Sequence, residues 1–404
     1  MAATEKGVWG LQDVRDKQLQ DEWEYNGDPF ENGGQLWALG GDNTYGGLGL
    51  NNTNPESSPK QVGTDTNWNQ GQQGDNAASY LTGFIKKDGT LWTWGRNAFG
   101  GLGQNNTTNY SSPKQVPGSY VIFAESQPET SMAIKTDGTL WMWGHNAGGT
   151  LGQNNTTPYS SPVQVPGSYP TNSGWKDDLA TRQISKGYVK SAAIKTDGTL
   201  WMWGDGDSGG LGQNNTTQYS SPRQVGTETT WKSVSCGFFT VATKTDGTLW
   251  AWGENNNGQL GQNNTTEYSS PRQVGSGTTW TKIFANRYNM NAFKSDGSLW
   301  VWGANTGQGN GLSLPDSAAR SSPVQLPGAW DAYSVGDDGS RTATKTDGTL
   351  WAWGCNAEGR FGVNDRTNRS SPTQVGTVSK WDGKTHCGRG AMYSLQKALT
   401  PSQL

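Results

Sequence analysis

The stretch Asp88-Gly-Thr-Leu-Trp-Thr-Trp-Gly95 decides the fold, because copies of it recur along most of the 404-residue chain. Asp-Gly between two strand-like runs indicates a tight type I′ β-hairpin. Alternate side chains of a strand share a face, so the two tryptophans lie on one face and Leu91 and Thr93 on the other. Further copies occupy residues 137–144, 197–204, 246–253, 296–303 and 347–354, and a shortened copy occupies 35–40. Both faces of this strand are thus covered by apolar or aromatic residues.

A second motif, Ser-Ser-Pro-x-Gln, marks the same repeat. It begins at Ser57, Ser111, Ser160, Ser220, Ser269, Ser321 and Ser370, which is a period of 49 to 60 residues. Only 31% of the residues are apolar, whereas there are 58 glycines and 21 tryptophans. A turn-rich β protein whose core repeats a few large aromatic residues fits this composition. Short sheets stacked face to face around an axis form a propeller, and the period is that of one blade.

The two ends of the repeat region complement each other. Residues 391–395 align with residues 191–195, but no Asp-Gly-Thr-Leu-Trp follows them. The first repeat begins at Gln35 without the strand that should precede it. We therefore expect the C-terminal strand to pair with the strand near Leu36, which would remove an open sheet edge. The sequence predicts an all-β, seven-bladed β-propeller over residues 34–397, an N-terminal extension over 1–33 and a tail over 398–404.

The repeats resemble those of the regulator of chromosome condensation family. The resemblance rests on Leu-Trp-x-Trp-Gly, the Gly-x-Leu-Gly turn and the Pro-x-Gln-Val ending, and it covers residues 34–397. It implies a seven-bladed propeller, and it implies functions that range from nucleotide exchange to enzyme inhibition and protein binding. Family members carry Gly-x-x-His-Ser where this chain has Gly187-Tyr-Val-Lys-Ser191 and Gly237-Phe-Phe-Thr240. This departure, and the lack of a basic arm, argue against exchange-factor and chromatin roles.

The N-terminal segment, Gly7-Val-Trp-Gly-Leu through Trp23, resembles a short segment of tail-fibre-like and other virion proteins of marine bacteriophages. The spacing of its apolar residues indicates a loosely amphipathic helix. Such a helix would either pack on the propeller rim or dock the protein onto a neighbouring virion subunit. The predicted docking residues are Trp9, Leu11, Val14, Leu19 and Trp23.

Three motifs with chemical associations are better explained by the repeat. Gly206-Asp-Ser-Gly-Gly210 matches a trypsin-like nucleophile segment, but the only histidines are His145 and His386, and a triad needs a suitably placed histidine. A calcium loop starting at Asp205 would need an oxygen ligand at its fifth position and a glutamate at its twelfth, but these positions are Gly209 and Thr216. The three cysteines are an odd number, widely spaced, which favours neither a disulfide framework nor a zinc site. We expect no catalytic residues, no metal and no cofactor.

Charge and hydropathy exclude further classes. The chain has 31 basic and 34 acidic side chains without a basic run, so we expect no nucleic-acid partner. The start has no apolar stretch of signal-peptide length, and no segment approaches a membrane span. We therefore expect a soluble protein, made in the cytoplasm, without membrane insertion.

Candidate binding residues lie where the repeats differ in length. The residue that follows Ser-Ser-Pro-x-Gln is 21 or 22 positions before the next Asp-Gly in four repeats, but the distance is 26 after Val62 and 32 after Val165. Insertions in repeat folds fall in loops, often on the binding face. Trp68, Tyr169 and Trp175 are then candidate partner-contacting aromatics, the alternative being loops without a ligand.

Taken together, these features favour a non-enzymatic structural or interaction protein of a bacteriophage virion, in a fibre, tail tip or capsid decoration. Its expected location is the virion, after synthesis in the host cytoplasm. Its expected partners are virion proteins and a host surface receptor or glycan. The alternatives are a carbohydrate-binding lectin and a cellular protein-binding propeller of the exchange-factor or inhibitor type.

Overall fold

The structure of the chain is a computed structural model. It describes residues 34–71, 80–126, 128–166, 183–305, 312, 314, 316–335, 339–357, 359–377, 381–387 and 391–397. Nearly all regular structure in these residues is β, and the exception is a short 3-10 turn at Asp207–Gly209.

The strands of the first half of the chain are β1 (Gly34–Gly41), β2 (Lys60–Gln61), β3 (Trp68–Gly71), β4 (Leu81–Lys86), β5 (Thr90–Gly95), β6 (Tyr110–Ser126), β7 (Thr130–Lys135), β8 (Leu140–Gly144), β9 (Tyr159–Gln164), β10 (Ile184–Lys186), β11 (Lys190–Ile194), β12 (Leu200–Gly204) and β13 (Tyr219–Gln224). Those of the second half are β14 (Trp231–Cys236), β15 (Phe239–Lys244), β16 (Leu249–Gly253), β17 (Tyr268–Gln273), β18 (Trp280–Ala285), β19 (Asn289–Lys294), β20 (Leu299–Gly303), β21 (Arg320–Leu326), β22 (Trp330–Val335), β23 (Arg341–Lys345), β24 (Leu350–Gly354), β25 (Arg369–Gln374), β26 (Trp381–Cys387) and β27 (Ala391–Lys397).

These strands form seven antiparallel blades. Blades 4 to 7 are the separate four-stranded sheets β10–β13, β14–β17, β18–β21 and β22–β25. Blade 1 is β26, β27, β1 and β2, blade 2 is β3 to β5 with the first half of β6, and blade 3 is the second half of β6 with β7 to β9. The first strands of neighbouring blades contact one another, as β10 does β14, so they lie nearest the axis. The fourth strands, such as β17, are mostly half-exposed and lie outermost.

The closure predicted from the sequence is confirmed. Strand β27 pairs antiparallel with β1 in the register Leu36 to Leu395, from Gly34 opposite Lys397 to Gly41 opposite Ala391. Blade 1 therefore joins both ends of the repeat region, and each blade has a neighbour on both sides.

The two tryptophans of each repeat occupy different environments. The second one is buried, and in five repeats its indole N–H donates to a carbonyl of the preceding blade, as Trp143 does to Gly101 O at 2.8 Å. The Ser131 hydroxyl donates to the same oxygen, also at 2.8 Å. The first one is only half-buried: the Trp141 indole donates to Thr139 Oγ1, and the Lys135 ammonium lies 3.4 Å from its ring centroid. The second tryptophan thus fills the core, and its hydrogen bond links one blade to the preceding one.

Within the described residues, no helix has the length and apolar character needed to cross a membrane.

Candidate functional site

The propeller has two faces with different loops. On one, here called the turn face, the first strand of a blade turns into the second, and the long connection after the Trp-Gly of the third strand begins. On the other, the hairpin face, lie the Asp-Gly hairpins and the connections from each fourth strand to the next blade. The faces can therefore carry separate sites.

Aromatic residues cluster on the turn face of blades 4, 5 and 6. We call Tyr188, Phe238, Arg287 and Tyr288 the aromatic–arginine patch; all four are half-buried. The Phe238 ring packs edge-on against Tyr188 at 5.6 Å and against Tyr288 at 5.8 Å, between centroids. The Arg287 guanidinium lies 4.8 Å from the Phe238 centroid and 5.1 Å from that of Tyr288. Stacking of this kind holds an arginine in one orientation while part of it stays accessible.

Tight turns place these side chains side by side. In blade 5, Gly237 N donates to Phe239 O at 2.8 Å, and in blade 6, Asn286 N donates to Asn289 O at 2.8 Å. The two turns approach so closely that a Cβ on Gly237 would lie 2.1 Å from Asn286 O. A glycine is needed at this point, and its small size lets neighbouring blades present their aromatic rings as one surface.

A cavity of about 340 Å³ adjoins the patch and is acidic at its rim. Tyr188 and Phe238 line it together with Asp205, Asp207 and Glu254. Burial raises the pKa of Glu254, and the Lys190 ammonium opposes that rise. Lys190 is itself buried, and its Nζ donates to Phe238 O at 2.6 Å. The carboxylates give the patch a negative border.

A second lysine, Lys186, hydrogen-bonds to the backbone of the turn that carries Tyr188. Lys186 is fully buried, and its Nζ donates to Gly187 O at 2.5 Å. Burial lowers the pKa of Lys186 to about 7. Burial likewise raises the pKa of the neighbouring Cys236 thiol to about 11, so this thiol is protonated at neutral pH. Neither group is exposed enough to contact a partner directly.

A smaller cluster of the same composition lies on the turn face of blades 1 to 3. Arg96 Nε pairs with Glu129 Oε1 at 3.0 Å, and its guanidinium lies 5.2 Å from the Tyr45 centroid. Burial raises the pKa of Glu129, and hydrogen bonding to Phe99 N opposes that rise. Phe99 is 38% exposed and packs edge-on against His145 at 4.6 Å. Phe99 is thus an accessible apolar contact on this side.

Of the three predicted binding residues, only Trp68 lies within the described residues, and the prediction for Trp68 is wrong. Trp68 is 1% exposed, because it lies in the inner strand β3 and packs edge-on against Phe84 and Trp94. Counting residues located the insertion nearby, but it did not show that Trp68 itself is a strand residue. Tyr169 and Trp175 lie outside the described residues. So do the predicted docking residues Trp9, Leu11, Val14, Leu19 and Trp23.

The protease-like segment forms a turn that begins the long connection of blade 4. Ser208 lies at a positive φ of 55°, and its hydroxyl donates to Glu267 Oε1 at 3.0 Å. The Ser208 hydroxyl therefore bonds to a carboxylate of the next blade rather than to an imidazole. In the part of the chain that is described, no group of three His, Cys, Asp or Glu residues is arranged to hold a metal.

The aromatic–arginine patch was not predicted from the sequence, although Gly187-Tyr-Val-Lys-Ser191 and Gly237-Phe-Phe-Thr240 contain two of its turns. Aromatic residues at the same turn of three successive repeats, Tyr188, Phe238 and Tyr288, were the available signal.

Comparisons with known proteins agree with the fold. A family model described as the RCC1-like domain matches residues 79–395. The X-linked retinitis pigmentosa GTPase regulator of the dog is 37% identical over 87 residues, which is 21% of this chain and only 8% of that protein. Human WBSCR16 has a TM-score of 0.74 at 17% identity, covering 91% of this chain and all of that one. Prp20p of Saccharomyces cerevisiae, studied for its binding to Gsp1p and histones, has a TM-score of 0.75 at 18% identity, with 92% and 93% covered.

Proposed function

Because this chain belongs to the RCC1-like domain family, we propose that it is a non-enzymatic binding module whose aromatic–arginine patch docks a protein partner. The observation that carries the proposal is the packing of Arg287 against Phe238 and Tyr288 at 4.8 and 5.1 Å on an accessible face. Aromatic residues and arginine contribute most of the binding energy at protein interfaces when they are held in place. The likeness to Prp20p, a protein studied for its binding to Gsp1p and histones, supports a protein partner.

The border of the patch indicates the character of that partner. Asp205, Asp207 and Glu254 surround the 340 Å³ cavity beside Tyr188. Complementary charge raises the association rate and penalises wrong partners. We therefore expect a partner that inserts a basic side chain into the cavity and packs apolar groups on Phe238.

Two contacts support a non-catalytic role for the protease-like segment. The Ser208 hydroxyl, the best sequence match to a nucleophile, donates to the Glu267 carboxylate. His145 packs against Phe99 in an earlier blade. A triad needs a serine, a histidine and an orienting carboxylate in hydrogen-bonding sequence, and this arrangement differs from it.

A matched pair of double variants tests the proposal. Arg287→Ala with Tyr288→Ala removes the edge of the patch. Arg272→Ala with Tyr268→Ala removes an equivalent pair, at 5.1 Å, from the outer strand of blade 5. Immobilised full-length chains would capture proteins from lysate of the source cells, quantified by mass spectrometry.

We expect the wild type and the outer-strand variant to retain the same partner and the patch variant to lose it at least about tenfold, as for interface hot spots. Equal capture by all three chains would contradict the proposal. Thermal unfolding of each variant controls for loss of the fold.

The phage-particle role is a second proposal, and it depends on a different part of the chain. It is supported by the Gly7–Trp23 segment, which resembles virion proteins and has no counterpart in the propeller repeat. The relatives named above come from dog, human and yeast and give it no support. Mass spectrometry of purified particles tests it: recovery of this chain in proportion to other virion proteins is expected, and its absence from particles would reject the role.

A further inference from the structure

A cavity of about 420 Å³ lies at the junction of blades 5 and 6, towards the hairpin face and away from the aromatic–arginine patch. It is lined by Trp280, Lys294, Trp300, Gln262 and Pro323, among others. The junction of blades 4 and 5 holds an equivalent cavity of about 430 Å³, lined by Trp231, Trp250 and Pro271. The repeat thus provides two cavities of similar volume, lined by equivalent positions, whose side chains can be compared.

In blades 2, 5, 6 and 7 a lysine lies between two indole rings. In blade 6 the Lys294 ammonium is 4.9 Å from the Trp280 centroid and 3.9 Å from that of Trp300. The corresponding distances are 5.0 and 3.7 Å for Lys244, and 4.8 and 4.1 Å for Lys86. For Lys345 in blade 7 they are 5.4 and 3.7 Å. The cation therefore has a similar position in all four blades.

The carboxylate that pairs with this cation differs between blades, and Lys345 of blade 7 has none among the described residues. In blade 2 Asp65 pairs with Lys86 at 2.7 Å, and in blade 5 Glu228 pairs with Lys244 at 2.5 Å. Both acids are the third residue of the connection that begins Gly63-Thr-Asp65 or Gly226-Thr-Glu228. In blade 6 this connection reads Gly275-Ser-Gly277, so glycine stands where the acid would be.

Lys294 consequently has no ion-pair partner among the described carboxylates. The nearby Asp296 makes no direct ion pair with Lys294 and instead accepts hydrogen bonds from Ser298 N at 2.9 Å and from Ser298 Oγ at 2.6 Å. The same hairpin bond occurs at Asp246 in blade 5, which has its own acid as well. The blade 6 cavity therefore has a cation that interacts with the nearby Asp296 but lacks the direct ion pair present in blades 2 and 5.

A second donor also lacks a partner. Trp280 is 5% exposed, and its indole N–H has no hydrogen-bond acceptor in the described part of the chain. In blade 7, a shorter Pro-Gly connection supplies one, because Trp330 Nε1 donates to Pro327 O at 3.2 Å. A buried donor without an acceptor is costly, and a ligand that accepts from it recovers that cost. Two donors, an ammonium and an indole N–H, thus line one cavity.

We propose that the cavity between blades 5 and 6 binds a sugar acid, a single hexuronate ring whose carboxylate pairs with Lys294 and accepts a hydrogen bond from Trp280. The ligand supplies the carboxylate that Asp65 and Glu228 supply in blades 2 and 5. Gln262 Nε2 donates to Gln273 O at 3.0 Å, so its carbonyl oxygen is left to accept from a sugar hydroxyl. The Trp300 edge and the Pro323 ring offer C–H contact to the sugar ring.

The size and lining of the cavity favour a sugar acid over a smaller anion. Small-molecule sites are commonly of about 300 to 1,000 Å³ and combine apolar walls with a few directed polar groups. An acetate-sized anion would neutralise Lys294 but leave the amide and apolar walls without contact. This site is distinct from the patch and lies towards the other face, so either proposal can fail while the other stands.

The test observes the tryptophan indole N–H resonances of the full chain by NMR, with Trp280→Phe identifying the Trp280 signal. Sodium glucuronate, glucose, sodium acetate and N-acetylglutamate amide are titrated in turn at low ionic strength. We expect glucuronate to shift the Trp280 signal saturably, and the other three to bind at least about tenfold more weakly, since charge and ring both contribute. Lys294→Gln should weaken glucuronate binding about tenfold or more.

Two reciprocal variants exploit the repeat. Gly277→Glu gives blade 6 the acid of blade 5 and should abolish binding; a Cβ there meets its nearest atom, Trp280 Nε1, at 3.5 Å, which is ordinary contact. Glu228→Gly removes the acid from blade 5 and should create a second site. Binding there should shift the indole N–H resonance of Trp231. Should Gly277→Glu fail to fold, Lys294→Gln carries the test.

Equal binding of glucose and glucuronate, or binding unchanged by Lys294→Gln, would overturn the proposal. Binding of acetate or N-acetylglutamate amide as tightly as glucuronate would overturn the assignment of a sugar. No shift of the Trp280 signal with glucuronate would overturn the site itself.

Discussion

Trp141 and Trp143 are two residues apart on β8 and have different surroundings. The Trp143 indole donates across the blade junction to Gly101 O, whereas Trp141 donates within its own hairpin and lies under Lys135. A buried hydrogen bond between blades adds direction to packing that would otherwise be non-directional. One residue type therefore both fills the core and fixes the angle between blades.

Trp143→Phe should destabilise the propeller more than Trp353→Phe does. Both tryptophans are buried beneath other aromatic rings, but the Trp353 N–H has no hydrogen-bond partner in the described residues. The two changes remove similar packing, and only the first also leaves Gly101 O without its indole donor. We expect an extra loss of about 1–2 kcal/mol in the unfolding free energy, measured by urea denaturation. Equal losses in the two variants would show that the inter-blade hydrogen bond makes no net contribution to the unfolding free energy.

Lys186 should make stability depend on pH. Its pKa is about 7 in the folded chain, because it is buried, and 10.5 in a solvated lysine. Between these values the unfolded chain binds more protons than the folded one, so the unfolding free energy rises with pH over this window. Below pH 7 both states are protonated and the cost of burying the charge is complete.

Lys186→Met lacks this titration. The difference in unfolding free energy, wild type minus variant, should therefore increase between about pH 7 and pH 9.5. Urea denaturation at three pH values measures it. A difference independent of pH would mean that Lys186 titrates at its ordinary value.

At the scale of elements, the closing strand and the continuous strand β6 are the instructive cases. The sequence predicted that β27 would pair with β1, and the register from Gly34 to Gly41 confirms it. It did not predict that β6 would run for 17 residues from blade 2 into blade 3. The connection there is only Pro117-Gly118-Ser119, too short for a separate loop, so pairing with β5 leads directly into pairing with β7.

A chain of residues 34–397 should fold cooperatively, and a chain of residues 34–390 should not. The two differ by β27, which pairs with both β26 and β1 and joins the two ends of the ring. Without it both neighbours expose unpaired backbone groups, which favours aggregation. Thermal unfolding followed by circular dichroism, with light scattering, measures the outcome. A cooperative unfolding transition in both chains would show that the propeller does not need β27 to close the ring.

At the scale of the molecule, the propeller separates two kinds of chemistry. The turn face carries aromatic rings and Arg287 beside carboxylates, which suits a protein surface. The cavity near the hairpin face carries Lys294 and an indole donor at a blade junction, which suits a small anion. The framework stays constant while single positions of the repeat, such as Glu228 and Gly277, change the charge of otherwise equivalent cavities.

The sequence by itself determined the fold class, the seven repeats, the hairpins and the closure. These follow from short windows: an Asp-Gly turn such as Asp88-Gly89, the alternation in Leu-Trp-x-Trp-Gly, and a period that can be counted. Only the tertiary structure decided that Trp68 is buried, that Tyr188, Phe238 and Tyr288 form one patch, and that Lys294 lacks its carboxylate. Residues about one repeat apart meet only after the blades stack, and no local pattern records which of their side chains will face each other.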